Sequence, residues 1–151
     1  MPEFRSLNNK DIDEVMRVWN SLSEHYDHPI GGDWNAKKLY QEIQTKHSLA
    51  AFGAENRLEA FVFYIDIDKI KEITLLVTDS RQHRTGAMRS LIRSLISELA
   101  PDEKIWLEVH AGNLPAIGLY ESLGFKICGE RLHYYNDGAK ALLYEYNRSE
   151  A

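Results

Sequence analysis

Glu108 and Tyr120 are of residue types that can transfer protons, and an arginine-rich stretch ahead of them suggests an anion. The segment Ile105-Trp106-Leu107-Glu108-Val109-His110 alternates apolar and polar positions, so as a strand it sends Ile105, Leu107 and Val109 to one face and Trp106, Glu108 and His110 to the other. A carboxylate beside Trp106 and other apolar groups would be raised in pKa toward what a base needs at neutral pH. The plain alternative is an exposed strand glutamate. Tyr120 carries a phenol that titrates near about 10, so it is protonated at neutral pH and can give a proton to a departing group. Otherwise it is a core tyrosine on the apolar face of a helix. Between residues 80 and 97 lie Arg81, Arg84, Arg89, Arg93 and His83, with no Asp or Glu. On a chain of net charge -5, such a local basic cluster suits a polyanionic small molecule, or else forms a solvated basic helix face.

The elements that must position these residues follow from periodicity and punctuation. An edge strand is expected over 2–7, then a helix from Asn8 or Asn9 to Ser23 with Ile12, Val15, Met16, Val18 and Trp19 supplying apolar contacts. Residues 25–33, with Pro29 and Gly31-Gly32, read as a loop, and a second helix over 35–45 turns Leu39 and Ile43 inward. Strands are expected over 48–53, 58–67 and 71–78, then a helix over 86–99 and a strand over 104–110. Asn113 can cap the next helix, Pro115 sits in its first turn, Ile117, Tyr120 and Leu123 recur at helical spacing, and Gly124 can end it in a left-handed conformation. Strands over 126–134 and 140–147, joined by a turn at Asn136-Asp137-Gly138, complete an α/β (α+β) chain with a mixed sheet flanked by helices.

Bulk properties limit the function. The 151 residues are one domain's length, 44% hydrophobic and 27% charged. The acidic balance argues against nucleic-acid binding. The first thirty residues are too charged for a signal peptide, and no run approaches the roughly 20 apolar residues of a membrane span, so a cytoplasmic protein is expected. Cys128 is the single cysteine; it cannot form an internal disulfide and reads as a small buried strand residue. The six histidines show no ligand-like spacing, and no metal is expected.

The run Asn113-Leu-Pro-Ala-Ile-Gly-Leu-Tyr120-Glu-Ser-Leu-Gly-Phe125, entered from Trp106-Leu-Glu108-Val-His110, resembles the signature of the GNAT superfamily of acyl-coenzyme A-dependent N-acetyltransferases. The nearest likeness is to the branch of bacterial ribosomal-protein alanine N-acetyltransferases. The resemblance implies a GNAT fold of about seven strands and four helices across residues 1–151, with acetyl-coenzyme A as acyl donor. It implies that Glu108 acts as general base and that Tyr120 protonates the departing coenzyme A thiolate. It also places His83-Arg84-Thr85-Gly86-Ala87-Met88 on the family's pyrophosphate turn, where a helix N-terminus offers free N–H groups. His83 and Met88 depart from the family pattern. Met88 stands where a small residue is usual and is expected to crowd the phosphates, with Arg84 and Arg89 compensating by charge. Leu76, Val77 and Thr78 fall where family members offer strand backbone to the pantetheine arm, and Asn113 combines helix capping with a cofactor contact.

The acceptor implied is an amine, belonging either to a small molecule or to a protein N-terminus. The tail Arg131-Leu-His-Tyr134-Tyr135-Asn-Asp-Gly138 resembles the hairpin of N-terminal acetyltransferases, but Ala139-Lys140-Ala141 lacks the acidic residue that usually follows. Tyr134 and Tyr135 line an acceptor groove or fill a hairpin; Tyr26 and Trp34 are the other candidate wall or ordinary packing residues. The resemblance also admits a homodimer. A rival reading is a non-catalytic coenzyme A-binding or interaction module that kept the fold.

Overall fold

A computed structural model describes residues 2–23, 35–82, 85–134 and 137–150. Strand β1 (Glu3–Arg5) is followed by a 3-10 turn at Asn9–Asp11 and helix α1 (Ile12–Ser23). Asn8 caps that turn: its side chain accepts from the Lys10 N–H, while Asp11 accepts from the Asn8 N–H. Helix α2 (Ala36–Thr45) is capped by Asn35, whose Oδ1 accepts from the Lys38 N–H at 2.9 Å. Then come β2 (His47–Phe52), β3 (Leu58–Ile67), β4 (Ile70–Thr78), α3 (Ala87–Ser97), β5 (Lys104–His110), α4 (Leu114–Ser122), β6 (Lys126–Arg131) and β7 (Ala141–Asn147). This is the expected order of elements. The differences are at ends: β1 is shorter than residues 2–7, and β6 stops at Arg131 rather than Tyr134, because His133 adopts a left-handed φ of 52° that a strand cannot continue through.

The seven strands form one mixed sheet in the order β1-β2-β3-β4-β5-β7-β6. Every neighbouring pair is antiparallel except β4 and β5. That parallel pair holds only at Ile70↔Lys104, Lys71↔Ile105 and Glu72↔Trp106. Past Glu72, β4 runs on to Thr78 and β5 past Trp106 to His110 without pairing, so the two strands part and open a gap through the sheet toward their carboxyl ends.

Strand alternation sends side chains to two separate cores. On one face Val15, Val18, Trp19 and Leu22 of α1 and Leu39 and Ile43 of α2 pack on Phe61, Phe63, Leu75 and Val77. On the other, Met88, Leu91, Ile92 and Leu95 of α3 and Tyr120 of α4 pack on Ala60, Val62, Ile105, Leu107, Val109 and Tyr144. Cys128 corrects the expectation of a buried residue. It is exposed, because β6 is an edge strand whose ladder shifts register between Ile127 and Gly129. Partial burial and the Glu145 carboxylate push its thiol up, with Lys104 acting the other way. No helix among the described residues is long and apolar enough to cross a membrane.

One buried ion pair fixes the end of β4. Asp79 is 1% exposed and accepts from Arg17 Nη1 at 2.7 Å; Arg17 also bonds Glu14 and the Leu58 carbonyl, tying α1 to the sheet. Burial alone would push the Asp79 carboxyl up, but the Arg17 hydrogen bond, the Arg81 N–H and the Arg17 and Arg57 charges hold it below its ordinary value. Replacing Arg17 by alanine is expected to cost about 3 kcal/mol of unfolding free energy in urea at pH 7. A carboxylate lowered in the fold stabilises above its unfolded pKa of about 4, and that contribution is lost as pH falls through the native value. The gap between parent and variant should therefore narrow as the pH is taken below about 4; an unchanged gap at pH 3 would contradict the assignment.

Candidate active site

The turn that leaves β4 is built by its own side chains. Asp79 Oδ1 accepts from the Arg81 N–H at 3.1 Å, the Gln82 N–H bonds the Asp79 carbonyl at 2.8 Å, and the Thr85 hydroxyl bonds the Gln82 carbonyl at 2.7 Å. Gly86 then adopts a φ of +88° as the N-cap of α3, a conformation that favours glycine, and no heavy atom lies within 4 Å of where a Cβ would stand. The first helical bond is Ser90 N–H to Gly86 carbonyl, and no side chain caps the helix. The amides of Ala87, Met88 and Arg89 are thus available at the positive end of an eleven-residue helix. Arg81 is exposed and Arg89 half-buried, and among the described residues neither makes an ion pair. His83 and Arg84 lie outside the described residues.

Met88 corrects the expectation that it crowds this turn. Its side chain is buried in the α3 core with Leu91 and Ile92 and leaves the open space over Gly86 untouched. An anion held at this turn would face the Met88 amide and not its buried side chain. Thr85 is exposed and Ala87 half-buried beside it. Upstream, Val77 is buried against the α1–α2 core, Leu76 packs against the α3–α4 core, and Thr78 is half-buried. Their backbone edge toward β5 is in the unpaired part of β4, so it is free for hydrogen bonding to a ligand lying in the gap.

Across the gap, β5 delivers Glu108 and α4 delivers Tyr120. Asn113 caps α4 by accepting from the Ala116 N–H at 3.3 Å, Pro115 lies in the first turn, and Gly124 takes a φ of +99° past the end, as the sequence predicts. Tyr120 is 5% exposed, its ring 5.8 Å from that of Phe125 and 6.4 Å from that of Tyr144. It therefore lies on the α3–α4 face of the sheet, while the alternation of β5 puts Glu108 on the opposite face with Trp106. The parted strands lie between the two faces.

Glu108 is not in the apolar surroundings expected for it. Its Oε1 lies 3.2 Å from the Arg131 guanidinium, and Tyr134 hydrogen-bonds it. The Trp106 indole turns its N–H to Glu145 Oε1 at 2.9 Å. Burial, the Glu108 charge and that hydrogen bond together push the Tyr134 phenol up, so it stays a donor. His110, on the same strand face, accepts the Gly112 N–H at Nδ1 (2.8 Å) and meets Asp137 Oδ2 through Nε2 (2.7 Å). A ring nitrogen that accepts carries no proton, so the Nε2 proton faces Asp137, which this bond holds below the ordinary carboxylate range. The clasp fastens the hairpin that carries Tyr134 to the turn entering α4. Tyr26, Trp34 and Tyr135 lie outside the described residues. Arg131, Arg17 and Asp79 are the neighbours of this region whose contacts sequence reasoning missed. Their partners are remote in the chain, and only the strand alternation of β6 hinted that Arg131 shares a face with Glu108.

Residues 14–125 match the acetyltransferase (GNAT) family. The chain belongs to that family. It is 33% identical over 105 residues to the [ribosomal protein bS18]-alanine N-acetyltransferase of Salmonella typhimurium, covering 68% of this chain and 70% of that protein. It is 46% identical over 160 residues to the N-alpha-acetyltransferase of Sulfurisphaera tokodaii, covering 93% and 91%. The crystal structure of the ribosomal-protein-S18-alanine N-acetyltransferase from Escherichia coli superposes with a TM-score of 0.80 at 25% identity, over 100% of this chain and 96% of that one. This GNAT chain is an N-acetyltransferase that uses acetyl-coenzyme A. The unspent amides of α3, the open space at Gly86 and the unpaired edge of β4 fit a pyrophosphate followed by an extended, amide-bearing arm.

Two substitutions separate these features. Gly86→Ala forces a side chain onto a positive φ at the mouth of the anion site and should weaken coenzyme A binding at least about tenfold by calorimetry. Met88→Ala should leave that affinity within a few-fold while costing about 2–4 kcal/mol of stability through the cavity it opens. Tighter binding by the Met88 variant would restore the crowding reading.

Proposed function

We propose that the protein acetylates the α-amine of a protein or peptide N-terminus, with Glu108 as base and Tyr120 as acid. The observation that carries this reading is the division of labour across the sheet: Glu108 stands on one face of the gap between β4 and β5, and Tyr120 and the amides of α3 on the other. A free α-ammonium titrates near about 8 and must lose a proton before its nitrogen can attack a thioester carbonyl. Glu108 takes that proton and passes it to solvent on the open face. As the nitrogen–carbon bond forms and the carbon–sulfur bond breaks, Tyr120 gives its phenolic proton to the sulfur and is restored by the second proton of the amine. The enzyme itself forms no covalent bond. Around this centre Leu76, Val77 and Thr78 offer backbone to the pantetheine arm. Thr85, Gly86, Ala87, Met88 and Arg89, with His83 and Arg84 from the adjoining turn, hold the pyrophosphate, and Asn113 borders the same mouth. Tyr134 lines the acceptor side, and Tyr26, Trp34 and Tyr135 are assigned there with it.

The acceptor class rests on relatives named for alanine and N-alpha acetylation. A small-molecule amine is the second reading, favoured by Ala139-Lys140 where N-terminal acetyltransferases carry an acid. We read residues 1–151 as one cytoplasmic acetyltransferase domain. A homodimer would use one of the two edge strands, β1 or β6.

Glu108→Gln and Tyr120→Phe should each lower kcat on an N-terminal peptide about a hundredfold or more while acetyl-coenzyme A binding stays within a few-fold. Variants that turn over like the parent would remove both role assignments. Acetylation of polyamines but of no peptide would transfer the function to the second reading.

A further inference from the structure

Arg131 has more donors than its partners use. It projects from β6 onto the same open face as Glu108, its side chain is 54% exposed, and its Nη2 lies 3.2 Å from Glu108 Oε1. Its guanidinium centre also stands 5.6 Å from the centroid of the Tyr134 ring. A guanidinium carries five N–H donors in a fixed fork that matches a carboxylate, and among the described residues the Arg131 guanidinium meets one carboxylate, Glu108, and the Tyr134 ring. The fork is therefore steadied by a charge and a ring, and more than half of the side chain is exposed on the face that carries Glu108.

Its position has a consequence for the acceptor. Glu108 must receive an ammonium, yet already neutralises a guanidinium. A second cation arriving there repels Arg131 unless the acceptor brings a negative charge of its own. The same face carries Glu72, opposite Trp106 in the parallel ladder, exposed and without an ion pair among the described residues. Glu72 also acts on the Tyr134 phenol, as Glu108 does. Two carboxylates and one arginine fork on one open face present a pattern complementary to an ammonium with a carboxylate beside it.

We propose that Arg131 is a specificity-determining residue that selects acceptors whose reacting amine is flanked by a carboxylate, the amine going to Glu108 and the carboxylate to the Arg131 fork. The inference rests on the amine-acceptor reading above and narrows it. It disfavours lysine-rich N-termini and polyamines. The flanking carboxylate comes either from an acidic side chain at a peptide N-terminus or from the α-carboxylate of a free amino acid.

The test measures kcat/KM of the parent, Arg131→Gln and Arg131→Lys on C-terminally amidated peptides differing only in a first residue of Glu, Gln or Lys, and on free glutamate and alanine. The parent should prefer the Glu peptide over the Gln peptide at least about tenfold, chiefly through KM, and the Lys peptide should be poorest. Within Arg131→Gln the Glu and Gln peptides should become equivalent, so that the preference is lost whatever the variant's overall rate, and Arg131→Lys, which keeps charge without the fork, should keep part of it. Acetylation of free amino acids at rates above the peptides would place the carboxylate on the amino acid itself and still support the selection. Amines acetylated with no carboxylate preference, or a preference that survives in Arg131→Gln, overturn the proposal and leave the amine-acceptor reading standing. Acetylation of none of these amines, with acetyl-coenzyme A still bound, takes both down.

Discussion

The parting of β4 from β5 is the constraint on which the rest of the site depends. Two parallel strands that pair for three residues and then diverge give up several backbone hydrogen bonds, each worth about 1 kcal/mol net. The surrounding structure holds them apart from both ends. The Asp79–Arg17 pair draws the end of β4 toward α1 on one face, and the Asn113 cap turns the end of β5 into α4 on the other. Parallel strands commonly place ligands beyond their carboxyl ends, and here the vacated ladder adds a row of donors and acceptors along the approach.

In the proposed mechanism the gap divides the chemistry between the two faces of the sheet. Strand alternation on β5 cannot put Glu108 and the core residues Leu107 and Val109 on one face. Glu108 therefore stands on the sheet face opposite α3 and α4, and the phenol of Tyr120 stands in the core beneath those two helices. With the roles proposed above, the acceptor would be deprotonated from one face of the sheet and the leaving group protonated from the other. The turn at Gly86 opens at the start of α3, on the Tyr120 side, so a polyanion held there as proposed would lie on the face away from Glu72 and Glu108.

Much of this was legible in the sequence, because it is governed by local rules. The opening of the first helical segment at Asn8, the Asn113 cap, the left-handed Gly124 and the alternation of residues 104–110 all depend on neighbours a few residues away. What escaped depends on packing between distant segments. Met88 fits the motif position at which a side chain is unwelcome, yet the helix turns that side chain into the core. Cys128 has the composition of a buried strand residue, but its strand is an edge with a register shift. Glu108 was expected among apolar groups, and met Arg131 from β6 and Tyr134 from the following hairpin instead. The Arg17–Asp79 bond spans 62 positions and has no periodic signature at all.

Amide hydrogen exchange with and without acetyl-coenzyme A tests the central claim most directly. If the gap is the binding channel, saturating donor should slow exchange in peptides covering residues 73–78 and 86–90 and leave the β1–β2 edge unchanged. Saturable binding that protects neither segment would mean that the parted strands are not where the donor lies, and the division of base and acid across the sheet would lose its basis.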